Sequence, residues 1–221
     1  SLKQIIIKLT AHSFEELKCA KVPEFVIDLN EEDNEPVFHH PWRIPEGHKE
    51  SYREEIMMLV QAGVLRPCED SDWGHRTFFV PKKGTTKQRF IVDLRPLNGK
   101  TKRLNFLLPL LLDVIECMHG SCIFILIDFR SGFFQCPLAE WCQRMTAFGT
   151  FFGFFCFTRM PMGAVNAPTY FAKIMHKLFG HLPFVACYLD VLCIHSPDID
   201  SHFEHLAIVF EIIERVNLNL N

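Results

Sequence analysis

Two aspartates in this 221-residue chain stand where a carboxylate is costly. Asp128 ends the wholly apolar run Cys122–Ile127, and Asp190 sits in a very short link, Leu189–Asp190–Val191, between the apolar runs Phe184–Tyr188 and Leu192–His195. An ionised carboxylate among apolar neighbours needs a cation or hydrogen bonds to compensate it. Adjacent strands that brought the two together would make the oxygen-rich site that a hard divalent ion such as Mg²⁺ takes. Two such ions about 3.5–4 Å apart can activate an attacking oxygen and stabilise a leaving one in phosphoryl transfer. Taken alone, either aspartate reads more simply as the cap of a strand end.

Other chemistry-bearing residues carry less. Cys193, His195, His202 and His205 are the nearest thing to a zinc ligand set, but no second close ligand pair accompanies them, and His202 and His205 fall on one face of a helix. The nine cysteines contain no C-x-x-C pair and mostly neighbour Phe, Ile or Leu, as reduced thiols in an intracellular protein do. Charge is segregated. Residues 66–103 hold 10 basic against 4 acidic side chains within a chain of net charge −3, whereas residues 15–55 hold 12 acidic against 5 basic. A basic block in an acidic chain fits a polyanion surface, or equally a solvated hairpin whose lysines guard its edges.

The elements that must position these residues are mixed. Residues 1–47, broken by Pro23, Pro36, Pro41 and Pro45, are expected as an extended N-terminal arm. Helical spacing of Tyr52, Ile56, Leu59 and Val60 predicts a helix over Lys49–Ala62, stopped by Gly63. Thr77–Pro81 and Arg89–Leu94 read as a hairpin. Leu110–Met118 reads as a helix, Cys122–Ile127 as a strand buried on both faces, and Phe148–Phe157 as a strand. Ala167–Phe179 is an amphipathic helix with Pro168 in its first turn, and Ser201–Val216 a helix capped by Asp200 or Ser201. Without strict βαβ alternation the class is α+β. At 48% apolar residues disorder is excluded, and no run approaches the ~18 apolar residues of a membrane span. No basic region followed by an apolar segment marks a secretory signal. A first residue other than Met suggests a piece of a longer polypeptide.

Seven words in order carry a resemblance: RIPEGHKESYREEIMMLVQAGVLRP (43–67), FFVPKKGTTKQRFIVDLRPLN (78–98), LIDFRSGFFQ (126–135), TAFGT (146–150), MPMGAVNAPTYF (160–171), YLDVLCIHS (188–196) and HFEHLAIVFEIIERVNLNLN (202–221). From about residue 36 onward the chain resembles the fingers and palm of a reverse transcriptase, most of all those of gypsy-type LTR retrotransposons. The resemblance implies a right-hand polymerase fold with an antiparallel palm sheet backed by helices and the thumb absent. Residues 48–127 would then be mainly fingers with the first palm strand, and 128–221 mainly palm, with 136–170 partly fingers. It implies Asp128 and Asp190 as catalytic residues and ligands of two Mg²⁺. It also implies Lys82, Lys83 and Arg89 on the triphosphate of a dNTP, Phe133 beneath the sugar where a ring excludes a 2′-hydroxyl, and Phe129, Met162, Gly163 and Tyr188 lining the nucleotide pocket. The implied partners are an RNA or DNA primer–template and the remainder of a Pol polyprotein, in the cytoplasm or a virus-like particle, with no membrane.

The same resemblance exposes a departure. The family's catalytic turn carries two consecutive aspartates, and here the second is Val191. Valine cannot ligate a metal. Asp198, eight residues beyond Asp190, is too far along an extended strand to replace it, at ~3.3 Å per residue. An impaired polymerase, or a non-catalytic relic that binds nucleic acid or a protein partner, is the expectation.

Overall fold

A computed structural model of the chain describes residues 2–81, 88–107 and 109–221. In chain order its elements are α1 (Leu2–Leu9), α2 (Lys49–Gln61), β1 (Leu65–Pro67), β2 (Thr77–Pro81), β3 (Gln88–Val92), α3 (Arg95–Lys100), α4 (Leu111–Glu116), β4 (Ile123–Asp128), α5 (Glu140–Gln143), β5 (Phe148–Gly149), β6 (Phe154–Phe157), α6 (Ala167–Phe179), β7 (Val185–Tyr188), β8 (Val191–Ser196) and α7 (Ile199–Arg215). Helices and antiparallel sheets mix as an α+β chain should. The chain falls into two compact units, Ser1–Pro23 with Leu104–Cys136 and Pro168–Asn221, and Glu24–Arg103 with Pro137–Ala167.

The second of these units is built on aromatic side chains. Tyr52, at the buried face of α2, meets Phe79 and Phe90 edge-on at 5.3 and 5.6 Å, and its hydroxyl lies 2.6 Å from that of Thr77. Burial pushes the Tyr52 phenol up to about 12, against the smaller opposing effect of the Thr77 hydrogen bond. Gly63, at φ +65, ends α2 as its position predicted. In the hairpin Thr77 pairs with Val92 and Val80 with Arg89. The apolar run 148–157 is two strands rather than one: β5 and β6 fold back on each other and Thr150 bonds Gly153 across the turn. The basic block is partly neutralised at home. Lys100 pairs with Asp33, Lys102 with Asp28 and Glu31, and Arg95 with Asp93. Acidic residues of the N-terminal stretch thus spend part of the positive excess that the sequence displays.

In the first unit the sheet order is β4–β8–β7. Register places Phe124, Leu126 and Asp128 with Val191, Cys193 and Tyr188 on one face, and Ile127, Leu192, Ile194 and Val185 on the other. The second set is buried, with Leu192 and Ile194 fully so, while Leu126 is 71% exposed. The expectation of a strand buried on both faces is therefore corrected. β4 is an edge strand of a three-stranded sheet, and a continuous apolar run cannot by itself distinguish an edge from a centre. Two smaller corrections follow from hydrogen bonding. A helix occupies Leu2–Leu9 in what was expected as an extended arm, because the first proline comes only at Pro23. The cap of α7 is Asp198, whose carboxylate accepts the backbone N–H and the hydroxyl of Ser201 at 2.9 and 2.8 Å. Both bonds hold the Asp198 carboxyl below its ordinary range.

Candidate active site

The β4–β8 ladder sets Asp128 opposite Val191, and the β7–β8 ladder sets Tyr188 opposite the same Val191. The turn therefore consists of Leu189 and Asp190 alone, and Val191 begins β8 instead of closing the link. Leu189 takes φ +56, a left-handed conformation that costs a side-chain-bearing residue ~1–2 kcal/mol. Asp190 is thus delivered next to the residue that faces Asp128, and both carboxylates are exposed at one end of the sheet.

Asp128 is held from behind by the chain's last residues. Phe129 bridges to Leu220, the Asp128 carbonyl accepts from Asn221 N–H at 3.1 Å, and Asn221 Nδ2 donates to Asp128 Oδ2 at 3.1 Å. Gln135, fully buried, anchors this tail. Its Oε1 accepts from Asn219 N–H at 2.7 Å and its Nε2 donates to the carbonyls of Arg130 and Asn219 at 2.8 and 2.9 Å. After Asp128 the chain turns through Ser131 at φ 45 into a single 3₁₀ turn, Gly132–Gln135. Phe129 is buried and Phe133 half-buried, and both rings meet Phe171 of α6 edge-on at 6.0 and 5.7 Å. A Cβ on Gly132 would lie 2.7 Å from Phe171 Cζ, so glycine is what lets this turn sit against the ring. Tyr188 is 36% exposed beside the acids.

The remaining expected site residues belong to the other unit. Met162 is 40% exposed, and Gly163 takes φ +90 with open space where a Cβ would be. Asn98 clamps this loop, donating from Nδ2 to the Gly163 carbonyl at 2.8 Å and accepting Val165 N–H at 2.9 Å. Asn166 donates to the Lys102 carbonyl at 2.7 Å. Lys82 and Lys83 lie outside the described residues. Arg89 has its backbone in β3, and its side chain likewise lies outside them. Gln135, Asn98, Asn219 and Asn221 were not anticipated as site residues. The available signal was an amide breaking an otherwise apolar run, as Gln135 does in GFFQC and Asn219 and Asn221 do in LNLN.

The donor set fits a hard cation. Two exposed carboxylates at one end of a sheet suit an ion such as Mg²⁺, which characteristically binds one or two carboxylates and fills its shell with water and phosphate oxygens. Val191 adds no donor, and among the described residues no three His, Cys, Asp or Glu side chains gather into a metal site. His202 and His205 instead share the Ser196 hydroxyl at 2.8 and 2.7 Å through their Nδ1 atoms, and His195 Nδ1 meets the Ser121 hydroxyl at 2.9 Å. No disulfide forms among the described residues. Cys68, Cys136, Cys142 and Cys156 are buried, and Cys117 and Cys122 are exposed.

Comparison with known proteins gives the family. Residues 80–221 match the family model described as reverse transcriptase (RNA-dependent DNA polymerase). The transposon Tf2-3 and Tf2-7 polyproteins of Schizosaccharomyces pombe are each 29% identical over 201 residues, 90% of this chain and 15% of each relative. The chain thus spans about a seventh of the length of these curated relatives. Among solved structures, a foamy viral protease-reverse transcriptase in complex with an RNA/DNA hybrid superposes with a TM-score of 0.87 at 22% identity, covering 100% of this chain and 29% of that one. The prototype foamy virus protease-reverse transcriptase in native form gives 0.82 at 24% identity, over 99% and 29%. No described helix is long and apolar enough to cross a membrane. With its α+β polymerase fold and the family model matched over most of its length, the chain belongs to the reverse transcriptase family.

Proposed function

We propose that the chain is the nucleotidyl-transfer module of a retroelement Pol polyprotein, adding dNTP to a primer 3′-hydroxyl on an RNA or DNA template, and that this copy is impaired by Val191. The observation that carries the reading is the ladder register that brings Asp128 and Asp190 to one end of a sheet with Val191 in the facing position. Asp128 and Asp190 would hold Mg²⁺. Bound there, the metal supplies Lewis-acid stabilisation of phosphoryl charge and favours ionisation of the attacking hydroxyl.

The chain's own groups do the rest in this proposal. Lys82, Lys83 and Arg89 neutralise the triphosphate, arginine gripping phosphate oxygens with its planar fork. Phe133, braced by Phe171, presents a ring to the sugar and excludes a 2′-hydroxyl. Met162, Gly163 and Tyr188 border the nucleotide. Phe129, whose ring is buried, contributes through its backbone. Removing one preorganised electrostatic group commonly costs about 10²–10³ in rate, and a missing metal ligand costs no less. A cytoplasmic or virus-like-particle setting accompanies the Pol reading. A second reading, a non-catalytic relic that still grips nucleic acid through salt-sensitive backbone contacts, is favoured by Val191 itself.

Primer extension by the native chain and by Val191→Asp decides between them. The expectation is duplex binding at low salt by both, negligible extension by the native chain, and extension at least about 10²-fold faster by the variant. Equal, normal rates would refute the impairment, and no extension by either would leave the relic.

A further inference from the structure

We infer that Asn221 is a positioning residue for Asp128, fixing the direction of its carboxylate so that the acid is presented ready to hold a cation; this rests on the reading of Asp128 and Asp190 as a cation site. A carboxylate at the exposed end of an edge strand is free to rotate, and Val191 across the ladder offers it no donor. Asn221 Nδ2 supplies one, to Oδ2 at 3.1 Å. A carboxylate has about four lone-pair sites, so a single N–H leaves Oδ1 and half of Oδ2 open to a metal. An amide also does this without charge. A lysine in its place would compete with the cation, and a second acid would repel Asp128.

Asn221 is itself held in place by several bonds. Its N–H reaches the Asp128 carbonyl at 3.1 Å, Leu220 bridges Phe129, and Arg130 N–H reaches the Asn219 carbonyl at 3.3 Å. Asn219 in turn is gripped at its N–H and carbonyl by buried Gln135, while its Oδ1 accepts Lys18 N–H at 2.9 Å. The backbone of the tail is therefore fixed by bonds that do not involve the Asn221 side chain. Deleting the amide leaves those bonds in place.

The test is Mn²⁺ binding, read from the free-ion resonance, together with thermal melting of the native chain, Asn221→Ala, the near-isosteric Asn221→Leu, and Asp128→Asn. Partners that orient a metal ligand typically contribute 10–100-fold in metal affinity, and one exposed hydrogen bond belongs at the lower end. The expected result is Mn²⁺ affinity about tenfold weaker in both Asn221 variants at unchanged melting temperature, and lost in Asp128→Asn. Native-like affinity in both Asn221 variants, with loss in Asp128→Asn, overturns the positioning role alone. Native-like affinity in Asp128→Asn overturns the cation reading and this inference with it. A weakening that appears only alongside a lowered melting temperature marks Asn221 as merely structural and overturns the inference too.

Discussion

Val191 faces Asp128 directly across the β4–β8 ladder. An acid at this position would therefore share a face, and a cross-strand pair, with Asp128, and would follow Asp190 immediately in the chain. Like charges directly opposite in a sheet destabilise it by something like the 0.2–1 kcal/mol typical of a cross-strand pair. Val191→Asp should consequently melt below the native chain in the absence of divalent ions. A cation that binds only the folded state stabilises it by RT ln(1 + c/Kd), with c the free cation concentration, so the gain grows with its concentration and affinity. The variant's melting temperature should then climb with added MgCl₂ more steeply than that of the native chain. Thermal scans at several Mg²⁺ concentrations measure this, and parallel curves for the two proteins would show that the acids do not converge on a shared ion.

Much of this site was legible because the relevant residues break a pattern. Asp128 and Asp190 interrupt apolar runs, and the structure sets both at the same sheet end. The length of the turn was less legible. Reading 189–191 as the link assigns Val191 to a loop, whereas pairing with two strands at once makes it the first residue of β8. One residue of turn length decides which side chain confronts Asp128, and turn length is fixed by ladder hydrogen bonds that periodicity does not record. The amides were missed for a different reason. Gln135 and Asn98 act on backbone atoms distant in sequence and Asn221 on a distant carboxylate, and an isolated amide carries no local sign of its partner.

The imidazoles predict a pH dependence of stability. Burial pushes His75, His195 and His202 below the ordinary 6.5, with neighbouring His205 adding to the effect on the last two. His202 Nε2 and His195 Nε2 are buried without a hydrogen-bond partner, so a protonated ring there would carry an N–H with no acceptor. The folded chain then binds fewer protons than the unfolded one near neutrality. Stability is fully present above about pH 6.5 and is lost as pH falls through that value toward the depressed folded values. Urea midpoints between pH 8 and pH 5 should decline on the acid side, and His202→Gln, which cannot charge, should flatten the decline. A midpoint that stays constant to pH 5 would contradict it.

The close approach of Gly132 to Phe171 gives the last prediction. A methyl group at residue 132 would come within 2.7 Å of Phe171 Cζ, a distance that real contacts do not reach, and Phe171 is completely buried. Its ring cannot move outward freely, because Phe129 and Phe133 both rest on it. Gly132→Ala should therefore cost roughly 1–3 kcal/mol, the usual range for overpacking a core. Because the strain lies in one contact, trimming the ring should relieve it: the double variant Gly132→Ala/Phe171→Leu should lose less than the sum of its two single changes. Denaturant unfolding of the four proteins completes the cycle. Strict additivity would place the cost of Gly132→Ala elsewhere in the turn, and the orientation of Phe133 would then not depend on this contact.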